Sequence, residues 1–238
     1  ETAGILLNLR RADGAQVASA NVAIDKARTA AIFGRPTRVF EEQISGGRIG
    51  ALALHGAAAL TGGIPLQVDG EVVGAVGTSG VTPDEDERVS IAGAQASFST
   101  VEVPTLTYEG ARVAAEAVAG EAGRRGIAPV VAVTDPAGRP LFVWRPDRGM
   151  TAGVDVSIDK ARTAATFRRP SKDFEDQANS GRPSALHLAG GVPLRGGAPI
   201  LRNGRVVGGI GVSAASAPDE DHELALLGAQ AVADTVSM

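Results

Sequence analysis

The chain has 238 residues, 44% apolar and 21% charged, a balance that permits a packed core and argues against disorder. Net charge is -4, with one Trp, one Tyr and six Phe, so the basic surface and stacking rings of a nucleic-acid binder are missing. Cysteine is absent and no run approaches eighteen apolar residues, which excludes disulfides, thiolate chemistry and a membrane-spanning helix.

In chain order, the sequence begins at Glu1 without a signal-peptide-like apolar region, as a processed, trimmed or partial product would, in the cytoplasm or exported. Residues 24–43, IDKARTAAIFGRPTRVFEEQ, open the first recognisable helical stretch. Gly62-Gly63-Ile64-Pro65 follows, then an Asp69-Gly70 turn between apolar runs, a strong hairpin signal because both turn residues need φ > 0. Thr82-Pro83-Asp84-Glu85 is a capping box with proline at the first helical position. Residues 108–125 are alanine-rich with helical spacing, stopped by Gly126. A β-branched strand over 127–133, a turn at Asp135-Pro136-Ala137-Gly138 and a strand over 141–144 come next. A helix over 154–167 ends before Pro170, and Ser171 is expected to cap a shorter helix holding Phe174, Glu175 and Asp176. A glycine-rich irregular stretch leads to a hairpin at Asn203-Gly204, and a final helix follows the acidic PDED segment, where Ala217 makes a weaker cap than Thr82.

Residues 158–177, IDKARTAATFRRPSKDFEDQ, match 24–43 at 14 of 20 positions with an offset of 134. The offset also carries Gly62-Gly63 and Pro65 onto Gly196-Gly197 and Pro199, and Gly74 and Gly77 onto Gly208 and Gly211. One inserted residue then aligns Pro83-Asp84-Glu85-Asp86 with Pro218-Asp219-Glu220-Asp221. The chain is therefore two copies of one domain, over 1–100 and 101–238. The element order implies α+β domains with an antiparallel sheet and helices against it. Glu1 falls opposite Asp135, so the first copy lacks the helix and strand of residues 106–134. Either they are removed, or another chain, such as an N-terminal fragment, completes that copy.

The KARTAA helix, Arg-Pro, Phe-Glu-(Glu/Asp)-Gln, Gly-Gly-x-Pro and the Gly-x-Val-Val-Gly hairpin resemble the GlcG/HbpS-like family, often called haem-degrading domains. The Leu106-Thr107 and Gly110-Ala111 start and the Val133-x-Asp135 strand end of the second copy resemble it too. The resemblance covers essentially the whole chain, twice. It implies a profilin-like antiparallel sheet flanked by helices, self-association into a homo-oligomer, and for some members haem or iron binding with slow haem breakdown.

Candidate site residues follow from comparing the copies. The basic residues are 20 arginines and three lysines, yet Lys26 and Lys160 occupy matching positions. A compact ammonium suits a ligand carboxylate, a general base or a Schiff-base amine, or else a helix ion pair. Arg28 and Arg162 lie away from the lysine side of the helix. Thr29 and Thr163 share that side and would line an anion pocket or simply pack. Glu41 and Glu175, beside Glu42 and Asp176, are candidate iron ligands or a solvated face; adjacent helical acids diverge by about 100° and chelate poorly alone. His55 and His187 are candidate haem ligands or proton shuttles. They are not equivalent under the offset, and share a face only if their segment is extended. His222 reads as surface. With no close-spaced histidine pair, zinc is disfavoured.

Gly62, Gly63, Gly196 and Gly197 with Pro65 and Pro199, and the strand glycines, mark bulges or the wall of a ligand pocket. The first expectation is a small-molecule binding or slow-processing module taking haem or another small anion. Its pocket would lie between the lysine helix, the pre-hairpin loop and the glycine strands. The alternative is a cofactor-independent enzyme on a small carboxylate or carbonyl substrate, with Lys26 or Lys160 as base or anchor and His55 or His187 as shuttle. A third reading makes one copy a dimerisation partner that has lost its site.

Overall fold

In the computed structural model, residues 1–214 and 217–233 are described. The chain divides into two compact units, Glu1–Val101 and Glu102–Met238. In the first, α1 (Val17–Phe33), α2 (Arg38–Ser45), β1 (Gly63–Val68), β2 (Glu71–Gly77) and α3 (Pro83–Gln95) run in that order, with a short 3-10 helix, Ile49–Ala53, after α2. The second comprises α4 (Tyr108–Arg125), β3 (Val130–Thr134), β4 (Pro140–Trp144), α5 (Gly153–Phe167), α6 (Lys172–Asn179), β5 (Gly197–Arg202), β6 (Arg205–Ser213) and α7 (Pro218–Ala233). Its 3-10 helix is Pro183–His187. Each unit is α+β with an antiparallel sheet, as the element order implied.

The second unit's sheet has the order β4-β3-β6-β5. Side chains alternate across it. Ile210 and Val212 turn towards α4 and α7 and join Val118, Val131, Val133 and Leu224 in one buried cluster. Gly209 and Gly211 turn the other way, and a Cβ on either would overlap the backbone of α5 at Ala161 or Ser157. The strand glycines are thus explained by helix-to-sheet distance: α5 lies directly on the strand. The bulge expectation also holds locally, since the β5–β6 register shifts at Ile200/Leu201, beside Gly208.

Both hairpin turns have the positive φ pair read from the sequence: 51° and 84° at Asp69-Gly70, 50° and 72° at Asn203-Gly204. The α3 capping box is formed between Thr82 and Glu85. Ser171 differs from expectation. It makes no side-chain cap; its hydroxyl donates to Leu194 O and accepts from Gly197 N at 2.9 Å. Thr37 likewise accepts from Gly63 N at 2.9 Å. These hydroxyls tie the short helix to the first residue of the hairpin's first strand, β1 or β5, a tertiary role that outweighs the local cap.

The first unit has only the β1–β2 pair, with α1 and α3 packed against it. Residues 1–16, which include those aligned with β4, form neither helix nor strand.

Candidate functional site

The repeated lysines are buried and doubly hydrogen-bonded in each unit. Lys26 Nζ donates to Asp86 Oδ2 at 2.8 Å and to Thr78 O at 3.0 Å. Lys160 Nζ donates to Asp221 Oδ2 and to Val212 O, both at 2.8 Å. Each lysine is 4% exposed. The aspartates are held in turn by backbone N–H groups, Val81 N to Asp86 and Ala214 N to Asp221. Each pair therefore locks the long helix to the end of the inner strand and to the first turn of the last helix. Burial pushes the Asp221 carboxyl above its ordinary range, and Lys160 pulls it back only in part. The partner is the last acid of each PDED segment, not Asp25 or its counterpart. Those pair with Arg28 and Arg162 instead.

The pocket expected between lysine helix, pre-hairpin loop and glycine strands is closed. Gly62 and Gly196 (φ 122° and 111°) abut Lys26 Nζ and Lys160 Nζ, and a Cβ on Gly63 or Gly197 would overlap the lysine's own carbonyl. Thr29 and Thr163 are fully buried. Their hydroxyls donate to Asp25 O and Asp159 O and accept from Ala58 N and Val192 N. Pro65 and Pro199 are half-buried within paired strands. These residues form a brace, and close packing leaves a ligand no room among them.

Glu41 accepts from Thr61 N and its hydroxyl, and Glu175 accepts from Arg195 N and its guanidinium. Glu41 and Glu175, the candidate iron ligands, thus use Oε2 to hold the pre-strand loop. Among the described residues, no group of three or more metal-binding side chains is assembled.

The histidines separate from this brace. His187 ends the 3-10 helix of the second unit and is exposed; His55 lies two residues past the 3-10 helix of the first, also exposed. The segment is not extended, so the shared-face expectation fails. His222 is half-buried rather than superficial, with Nδ1 unpartnered. Burial lowers its pKa, and Lys172 and Arg195 lower it further.

His187 borders a cavity of about 210 Å³ whose lining includes Arg169, Phe174, Gln177, Arg182 and Leu188. The Arg169 guanidinium lies 3.9 Å over the Phe174 ring, and Arg182 donates to Gln177 Oε1 at 2.6 Å. Among the described residues neither arginine has a carboxylate within ion-pairing distance, so both keep uncommitted positive charge. A larger depression, about 650 Å³, mixes Glu102 with Arg202, Asn203 and Arg205 at the β5–β6 tip and holds no histidine. Arg169, Arg182 and Gln177 were not among the candidate site residues, although their counterparts Arg35, Arg48 and Gln43 repeat at the 134 offset.

A model of a family described as "Haem degrading protein HbpS-like" matches residues 1–95 and 106–230. Protein GlcG of Escherichia coli K12 is 39% identical over 83 residues, 35% of this chain and 62% of GlcG, so the match spans less than two thirds of that relative. An uncharacterised 15.0 kDa protein of Citrobacter freundii is 31% identical over 116 residues, 82% of its length. Among solved structures, a double mutant of Streptomyces reticuli HbpS is 31% identical with a TM-score of 0.51, over 55% of this chain and 89% of that one. Klebsiella pneumoniae protein ORFY, 24% identical with a TM-score of 0.53, covers 59% and 99% and bears on the fold alone.

Proposed function

The chain belongs to the HbpS-like family in both of its units, and on that premise we propose that it binds haem or another small anionic ligand beside α6 of the second unit. The observation carrying this reading is an exposed histidine, His187, at a cavity with two arginines that have no acidic partner among the described residues. An imidazole at the surface has ring nitrogens free for iron, and guanidinium forks match carboxylates of the kind a haem carries on its edge. A cavity of about 210 Å³ takes the carboxylate end of such a ligand and not a whole porphyrin; pockets that engulf drug-sized molecules run to roughly 300–1,000 Å³.

In this reading His187 would hold the iron, and Arg169 and Arg182 would hold the propionates. A bound haem would supply the redox chemistry. The residues themselves bind and orient, and the lysine brace keeps α5, the end of β6 and the first turn of α7 in fixed relation. Lys26 and Lys160 take no part as bases, because each ammonium is buried and already shared between a carboxylate and a carbonyl. Self-association, which the resemblance implies, belongs to the same proposal; light scattering giving a mass of one 24.0 kDa chain would refute it. Among the described residues, no helix is long and apolar enough to cross a membrane.

Haem titration followed at the Soret band tests the main reading. His187→Ala should abolish a shifted band that His55→Ala leaves in place. Absence of any shift with the intact chain, or survival of the band in both variants, would overturn the assignment.

A further inference from the structure

The histidine differs between the units, but the cationic frame beside it does not. In the second unit Arg169 stacks on Phe174, and Arg182 is steered by Gln177. In the first, Arg35 lies 4.8 Å over the Phe40 ring, and Arg48 donates to Gln43 Oε1 at 2.8 Å. The backbone repeats as well: Arg48 N donates to Gln43 O and Arg182 N to Gln177 O. Both phenylalanines are buried and further fixed by edge contacts from Phe33 and Phe167 at 5.1 and 5.3 Å.

These partners leave the charge unspent. A guanidinium stacked on a ring uses its face, so its in-plane N–H edge stays open. An arginine giving one N–H to a neutral glutamine retains four more donors and its full charge. Elsewhere in the chain arginines such as Arg38, Arg112 and Arg195 are each taken up by two or three carboxylates. In the frames beside α2 and α6, among the described residues, no acid lies within 4.0 Å of the cationic nitrogens of Arg35, Arg48, Arg169 or Arg182.

We infer that each unit carries a site for a small carboxylate anion, formed by Arg35 and Arg48 in the first and by Arg169 and Arg182 in the second, independent of histidine. This deepens the anionic-ligand reading and rests on it, while requiring no haem. A carboxylate is favoured because the frame offers planar forks and no lysine ammonium, and because the second unit's cavity of about 210 Å³ suits a ligand of a few heavy atoms.

Calorimetric titration of the full chain with malonate tests this. Two equivalents should bind, Arg169→Ala with Arg182→Ala should remove one, and Arg35→Ala with Arg48→Ala the other. Because loss of stacking on Phe174 or Phe40 could disturb folding, Gln177→Glu and Gln43→Glu provide a second pair. Each places an acid against the fork, and should weaken its own site ten-fold or more with the melting temperature little changed. His55→Ala should leave both sites. Malonate binding without a Soret shift would sink only the haem reading. A Soret shift without malonate binding would sink only this one. It is also overturned if inorganic phosphate binds more tightly than malonate, or if binding survives the arginine and glutamine substitutions.

Discussion

The two units share a brace but not a core. Lys26–Asp86 and Lys160–Asp221 are nearly superimposable in chemistry, each 2.8 Å long and each lysine 4% exposed. Around them the packing diverges. Leu224 on α7 is fully buried beneath α4, whereas its counterpart Val89 on α3 is 56% exposed. The chain's one extended apolar cluster among the described residues lies wholly in the second unit. There β6 is paired on both sides; in the first unit β2 is paired only with β1. Burying a side chain such as Leu224 contributes about 1.5–3 kcal/mol, so the helix and strand over 106–134 affect far more than their own residues. The comparison teaches that polar locks can persist in a unit whose apolar cover is thin.

Charge has also been rearranged without losing its function. In the first unit Arg38, on α2, pairs with Asp84 and Glu87 on α3. In the second, Lys172 stands at the Arg38 position and His222 at the Glu87 position. The arginine comes instead from the pre-strand loop, as Arg195, and meets Asp219 together with Glu175 and Asp176. The first turn of the last helix is thus tied down in both units, from α2 in the first and from the pre-strand loop in the second.

The largest expected effect tests the shared brace. Lys160→Met strands Asp221 in a buried site and should cost about 3–5 kcal/mol in chemical denaturation. Adding Asp221→Leu should recover most of that loss, because an apolar pair needs no solvation. Lys26→Met should destabilise its own unit in the same sense. If either lysine can be replaced at no cost, the brace is not structural and the closed-site reading falls with it.

Of intermediate size is the difference in sheet closure. Hydrogen exchange on the full chain should show β2 amides exchanging at least about ten-fold faster than those of β6, since exposed, singly paired strands open locally at lower free energy. Equal protection of the two strands would mean that something else covers the β2 edge.

The smallest effect belongs to the exchanged charges. The folded pKa of His222 lies below its unfolded value, chiefly through burial, so the folded state favours the neutral ring. Its contribution to stability is complete above about pH 6.5 and is lost as pH falls through the unfolded value towards the folded one. His222→Glu, which copies the first unit, should flatten this loss and give Lys172 an acidic neighbour. A denaturation midpoint with the same dependence between pH 7.5 and 5.5 in both proteins would show that His222 is not its source.

Much of this was legible in the residues. Local rules located the Asp69-Gly70 and Asn203-Gly204 hairpins, the Thr82 capping box and the helix over 108–125, because each depends on neighbours within one turn. The repeat singled out Lys26 and Lys160, and it held equally good information on Arg35 and Arg169, which charge composition alone concealed among many arginines. The 3-10 helices were missed, since five-residue segments carry too little periodicity to register. Ser171 misled because serine before a short helix is a sound local signal, overridden here by the strand it meets.

By itself the sequence determined that two α+β domains are repeated, where they turn, and which polar residues are held in common, since all of these follow from spacing and internal comparison. Only the tertiary structure decided which lysine meets which aspartate, sixty residues away, and that the glycines admit a helix rather than a ligand. Those outcomes depend on how closely separate elements approach. That distance is set by the packing of the whole unit, and no local pattern encodes it.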